Sequence, residues 1–215
     1  MCSGGETVLT GRRARTGAGA ARELDRRIAR LAIPALGSIA AEPLYTVADT
    51  AIVGHLGRMS LDSLAIAASA LTIVAWLSVF LSTATTSAVS RLTAARDDEA
   101  AGRAVGAAYL VAAALGLLVA VAVVLAAPAV AALLGARRHM LVGATGYLRA
   151  SAPGLPFLYL SFAGNGHLTG LQDTRTPLRI AVGANVVNVA LEAILVFGAH
   201  AGLLGSAWGT AIAQA

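Results

Sequence analysis

Three carboxylates stand inside long apolar runs of this sequence: Glu42, Asp49 and Glu192. A charged side chain in hydrocarbon costs at least about 2.5 kcal/mol, so such acids normally face a protein or water-filled interior and mark a proton, ion or substrate path. Glu42, Tyr45 and Asp49 are spaced by three and four residues, and Asn185, Asn188 and Glu192 repeat that spacing. At helical periodicity each trio shares one face. Two polar stripes on otherwise apolar helices can bury themselves against each other, which predicts a wet, carboxylate-bearing pocket inside a helical bundle. Two carboxylates close together in a low dielectric cannot both stay charged without a cation, so protonation, cation binding and helix position become coupled. The hydroxyls of Tyr45 and Thr210 and the amides of Asn165, Asn185 and Asn188 can complete an oxygen-rich site for Na⁺, or hydrogen-bond a protonated acid.

Several of these residues also have a structural use. Glu42 precedes Pro43 and can bond backbone groups freed at a kink, Asp49 is close to the turn at Gly54, and Asn185 can join helices. Glu192, near the middle of its run, is the hardest to explain as structure. His167 reads as an interfacial histidine, and His55 and His139 fall in loops.

The elements that must position these groups follow from composition. The 215 residues are 57% hydrophobic and 13% charged, with a mean hydropathy of +0.75. Soluble domains average about 25% charged residues, so a soluble enzyme is excluded. Aromatics are only 5%, which favours an all-α integral membrane protein over a β-barrel. Residues 1–27 read as a disordered basic cytoplasmic tail without the apolar core of a signal peptide. Residues 28–215 read as one transmembrane lobe, with spans at about 28–55, 61–90, 104–134, 141–171, 177–198 and 203–215. The last is too short to cross, since a span needs about 20 residues, so the chain is expected to be a fragment of a longer protein.

All 16 basic residues are arginine. The tail, the charged loop at 91–103 and the turn at Arg175 lie on one side by alternation and hold most of them, placing the amino terminus in the cytoplasm of a multi-pass cytoplasmic-membrane protein. Arg137 and Arg138 fall on the opposite side, against that trend. The arginines lie between apolar runs, which argues against a nucleic-acid partner. No P-loop, HExxH, GxSxG or zinc-spaced Cys/His set occurs, so ATP-driven transport and proteolysis by this chain lack their parts.

Segment 42–57 (EPLYTVADTAIVGHLG) resembles the first-helix signature of multidrug and toxic compound extrusion (MATE) transporters, most closely the DinF-like branch. Segment 170–178 (GLQDTRTPL) is similar to that family's turn between helices four and five, and Asn188 to Glu192 followed by 202–210 (GLLGSAWGT) is a third match. The resemblance implies the amino-terminal half of a twelve-helix antiporter built from two six-helix lobes. Such a protein exports amphipathic or cationic small molecules in exchange for H⁺ or Na⁺, without a prosthetic cofactor and without enzymatic activity. Its partners would be membrane lipids and a carboxy-terminal lobe. The resemblance maps the cation site onto Asp49, Asn165, Asn188, Glu192 and Thr210, with Tyr45 beside Asp49 and Pro34 at the first-helix bend. Glu192 stands where the family often has Asp, and Thr169 where it often has Arg. A lipid-linked precursor flippase of the same superfamily, which needs a cationic cavity, and a truncated non-transporting remnant are the competing readings.

Overall fold

The computed structural model describes residues 46–215, together with Leu36, Ala40, Pro43 and Leu44. The readings made for residues 1–27, Pro34, Glu42 and Tyr45 lie outside the described residues. Helix α1 covers 46–54. It is followed by α2 (Arg58–Ala94), α3 (Asp98–Leu133), α4 (His139–Ser151), α5 (Leu155–Gly170), α6 (Arg175–Ala193) and α7 (Gly202–Gln214). The described residues contain no strand. A 3₁₀ turn, Ala152–Gly154, joins α4 to α5, and one π-helical turn, Ile194–Gly198, extends α6. By length and composition α2, α3 and α6 with its π turn can each cross a membrane.

Sequence and structure differ most at two places. The charged segment 91–103 reads as a loop, yet α2 runs to Ala94 and α3 starts at Asp98, leaving a three-residue turn. Asp97 accepts the Ala100 N–H at 2.9 Å, and Asp98 and Glu99 occupy the positive first turn of α3, so these charges begin a helix. The span read at 141–171 is two helices, because Pro153 and Pro156 lack the N–H groups that an unbroken α-helix needs there. Conversely, α3 continues as α-helix through Pro128.

Tight turns set the two ends of the bundle. One end carries the turns at 55–57, 134–138 and 199–201, the other those at 95–97 and 171–174. Gly57 and Gly135 adopt φ of +102° and +97°, the left-handed backbone such reversals require.

The core is built mainly from small side chains. Val53, Leu64, Ala67, Tyr147, Leu148 and Ala207 join α1, α2, α4 and α7 in one cluster, and Leu81, Ala112, Tyr159 and Ala163 join α2, α3 and α5 in another. In a membrane, where lipid tails are as apolar as leucine, helix association depends on close packing and interhelical hydrogen bonds. Gly166 shows both: the Thr86 hydroxyl donates to its carbonyl at 3.0 Å, and a Cβ there would lie 2.5 Å from the Ser82 carbonyl oxygen. Gly166→Val should destabilise the α2–α5 contact by about 1–3 kcal/mol, the usual cost of overpacking, read as a lower unfolding temperature in detergent. Thr86→Val should cost less, about 0.6 kcal/mol.

The turn before α6 holds a second checkable interaction. Asp173 accepts the Thr176 hydroxyl at 2.5 Å and the backbone N–H groups of Thr176 and Arg175 at 3.1 and 3.0 Å. The Thr176 hydroxyl first, then the backbone donors and the Arg179 charge, hold the Asp173 carboxyl below the usual aspartate range. Because the folded state favours the charged form, this cap is complete above the unfolded-state value and is lost as pH falls through the lower folded one. Hydrogen exchange at Arg175 and Thr176 should therefore stay protected down through about pH 3.9, the ordinary aspartate midpoint, and rise only below it.

Candidate functional site

The centre of the site is a contact between groups 157 residues apart. The Ser206 hydroxyl on α7 donates to Asp49 Oδ1 on α1 at 2.9 Å, with both residues buried. Beside them lies the carboxyl of Glu192 on α6, whose neighbours are Asp49 and Ser206. Glu192 is 0% exposed, Asp49 7% and Asn188 6%. The Tyr147 hydroxyl on α4 completes the ring, facing Ser206, Thr210, Asp49 and Glu192. The Thr210 hydroxyl donates to the Ser206 carbonyl at 3.1 Å, back-bonding within its own helix.

Glycine and a change of helix type make this approach possible. A Cβ on Gly209 would stand 3.2 Å from the Glu192 Cα and backbone nitrogen, and one on Gly205 would stand 3.0 Å from the Leu195 carbonyl group. Gly205 and Gly209 thus form a small-xxx-small stripe that lets α7 lie directly on α6. The π turn begins two residues after Glu192, and π turns in α-helices often occur at functional sites. At the 55–57 end, the His55 ring bonds the Ala51 carbonyl at 2.7 Å and meets Phe197 of the π turn edge-on at 6.1 Å. The end of α1 is thereby tied to the end of α6, above the carboxylates.

Asp49 and Ser206 lie against Glu192, but the single Ser206 hydroxyl proton goes to Asp49 and a charged Asp49 has none to give, so neither Glu192 oxygen receives a donor. Asn188 Oδ1 and the hydroxyl of Ser151, one turn along α4 from Tyr147, are likewise buried without a partner. A buried carboxyl with nothing on either oxygen is costly unless a proton or a cation engages it. The groups available are hard oxygens from carboxyl, amide and hydroxyl side chains, a set that suits a proton or a hard cation.

Of the five residues expected to hold an ion, the fold buries Asp49, Asn188 and Glu192 and brings half-buried Thr210 to the same ring. Asn165 is exposed on α5. Asn185, one turn before Asn188, is half-buried. Sequence reasoning passed over Tyr147 and Ser206. Ser206 stands four residues before Thr210, a spacing that signals a shared face; Tyr147 had no signal beyond being a polar aromatic in an apolar run. His167 lines a separate cleft of about 290 Å³ at the 95–97 end, with Thr93 and Asp98.

Apolar helices long enough to cross a membrane, packed through small residues around buried acids, define a polytopic helical membrane protein with a buried cluster of acidic side chains. The profile of the MatE family matches residues 34–194, and the chain belongs to that family. It is 32% identical over 199 residues to Protein DETOXIFICATION 44, chloroplastic, of Arabidopsis thaliana, covering 87% of this chain and 38% of that protein. It is 29% identical over 198 residues to DNA damage-inducible protein F of Escherichia coli strain K12, covering 88% of this chain and 42% of that one. Among solved structures it superposes on an outward-facing multidrug resistance MATE family transporter with a TM-score of 0.80 at 26% identity, covering 87% of this chain and 42% of the other. A transporter from Pyrococcus furiosus, described as having a binding pocket of reverse polarity and a different function, matches at TM-score 0.80 and 26% identity, over 87% of this chain and 41% of that one. The chain therefore spans about two-fifths of the length of these relatives.

The close approach of α7 to Glu192 is testable. Gly209→Val should push α7 outward and raise the reactivity of Glu192 toward a hydrophobic carbodiimide by about fivefold or more, the factor that at least about 1 kcal/mol of overpacking implies. Peptide mapping of the adduct reads this out.

Proposed function

We propose that this chain is the ion-coupling, amino-terminal lobe of a twelve-helix secondary antiporter. That antiporter exports amphipathic or cationic compounds across the cytoplasmic membrane in exchange for H⁺ or Na⁺, with the amino terminus in the cytoplasm. The observation that carries the reading is the burial of Asp49 and Glu192 together, with both Glu192 oxygens unpartnered. An ion arriving at Glu192 neutralises a charge that the low dielectric penalises and gives α1 a reason to stay against α6 and α7 through Asp49 and Ser206. Loss of the ion leaves two like charges facing each other and favours an arrangement that separates α1 from α6. The ion thereby binds one conformation better than the other, which is the requirement for coupling a gradient to a conformational change.

Asp49, Glu192, Asn188 and Thr210 are the proposed ion ligands. Asn165 would join only through a rearrangement of α5, since it is exposed here. Asn185, Tyr45, Glu42 and Pro34 are proposed in supporting roles. The fold adds Tyr147 and Ser206 as positioning residues. Export of cationic compounds suits the acidic polarity of the pocket. A flippase for a pyrophosphate headgroup would need an inward cation, and the candidate, Arg149, is instead exposed and bonded to the Val124 carbonyl on α3. A non-transporting remnant would have no use for unpartnered buried acids.

In the transporter containing this half, Asp49→Asn and Glu192→Gln should each lower ion-gradient-dependent ethidium efflux from energised inverted vesicles or cells by about tenfold or more, at equal membrane abundance, as loss of a buried charged partner implies. Unchanged efflux in both would move the coupling site to the other half.

A further inference from the structure

We propose that Arg149, on the edge between α3 and α4, is a binding site for the phosphate group of a membrane phospholipid. Pro128 has no N–H, so the Val124 carbonyl four residues earlier loses its usual helical donor. The Nε–H of Arg149, on α4, donates to that oxygen at 3.2 Å. This bond fixes one edge of the guanidinium and leaves both terminal nitrogens without a hydrogen bond or ion pair among the described residues, where the ion pair is Arg103 with Glu99.

The surroundings say what those nitrogens meet. Arg149 is exposed, and around it Val121, Val124 and Leu125 of α3 and Val142 of α4 are exposed as well. α3 packs on α2, α4 and α5, while the buried acids lie among α1, α4, α6 and α7, so this edge is not part of the acidic pocket. Depth follows from helix length. α3 has 36 residues, or about 54 Å at about 1.5 Å per residue, and exceeds the hydrocarbon core of about 30 Å by about 12 Å at each end. Val124 lies about 14 Å before the last residue of α3. The guanidinium therefore sits near the boundary between hydrocarbon and headgroups at the 134–138 end. A fork of charged donors at that depth, in an apolar surface, is matched by the anionic oxygens of a phosphodiester, which Arg can engage with two parallel bonds.

The test uses the full transporter in mild detergent, with native mass spectrometry reading retained lipid after addition of dioleoyl phosphatidylglycerol or, as the phosphate-free control, dioleoylglycerol. Phosphatidylglycerol retention should fall about fivefold or more in Arg149→Gln, the scale of losing charge-assisted hydrogen bonds, while dioleoylglycerol retention should be equally low in both proteins. Millimolar inorganic phosphate should leave the retained lipid in place; displacement would replace a lipid site by a free-phosphate site and overturn the proposal. Equal phosphatidylglycerol retention in wild type and Arg149→Gln, or none in wild type, would also overturn it, the latter result placing the other half of the transporter over this edge. Pro128→Ala covers the case in which Arg149→Gln fails to fold. It returns the helical N–H to the Val124 carbonyl, so Arg149 loses its anchor and retention should fall about twofold or more with stability preserved. Unchanged retention in that variant would overturn the anchored geometry.

Discussion

Holding two carboxylates together away from water is the constraint on which the other features of this bundle depend. Charges at such a place are tolerated only where partners are close and exact in number. Asp49 has one partner in Ser206, whereas neither oxygen of Glu192 has any. The site is thus only half satisfied by the protein's own donors. That incompleteness is costly for a static scaffold, and it is what the proposed ion coupling would use.

Everything near the acids serves to bring four helices within reach of one another. Gly205 and Gly209 remove side chains from the α6–α7 contact, and the π turn after Glu192 re-aims the end of α6. His55 against Phe197 closes the same end by tying α1 to α6. Elsewhere the fold handles a different cost, that of backbone groups left without partners in an apolar solvent. The prolines at 153 and 156 fall at a break with its own 3₁₀ turn, and Gly154 there admits α7 so closely that a Cβ would lie 2.9 Å from the Ala211 Cα. Pro128 interrupts no helix, because Arg149 supplies the donor that the proline lacks. Arg149 and Pro128, the one proline of α3, are two parts of one solution.

Much of this was legible in the sequence. The apolar runs give the helices and their approximate limits, and three-and-four spacing places Asp49 on one face of its helix and Asn188 with Glu192 on one face of another. Boundaries were less legible where charges act as caps: Asp97, Asp98 and Glu99 look like a loop by composition and begin α3 by hydrogen bonding and the helix dipole. Ser206 and Tyr147 were not singled out, since serine and tyrosine in an apolar helix are ordinary in isolation. Asn165 has a composition suited to an ion site and is nevertheless exposed.

What the sequence by itself determined is therefore the set of helices, the side chains each can offer and the sign of the charge it must bury. Only the tertiary structure decided which offers meet. Periodicity fixes a residue's direction about its own helix axis but says nothing of which neighbour occupies that direction. That choice depends on how closely particular helices can pack, and here glycines set it. They bring α7 onto α6 and so place Ser206 against Asp49 across 157 residues, while the equally polar Asn165 remains outside.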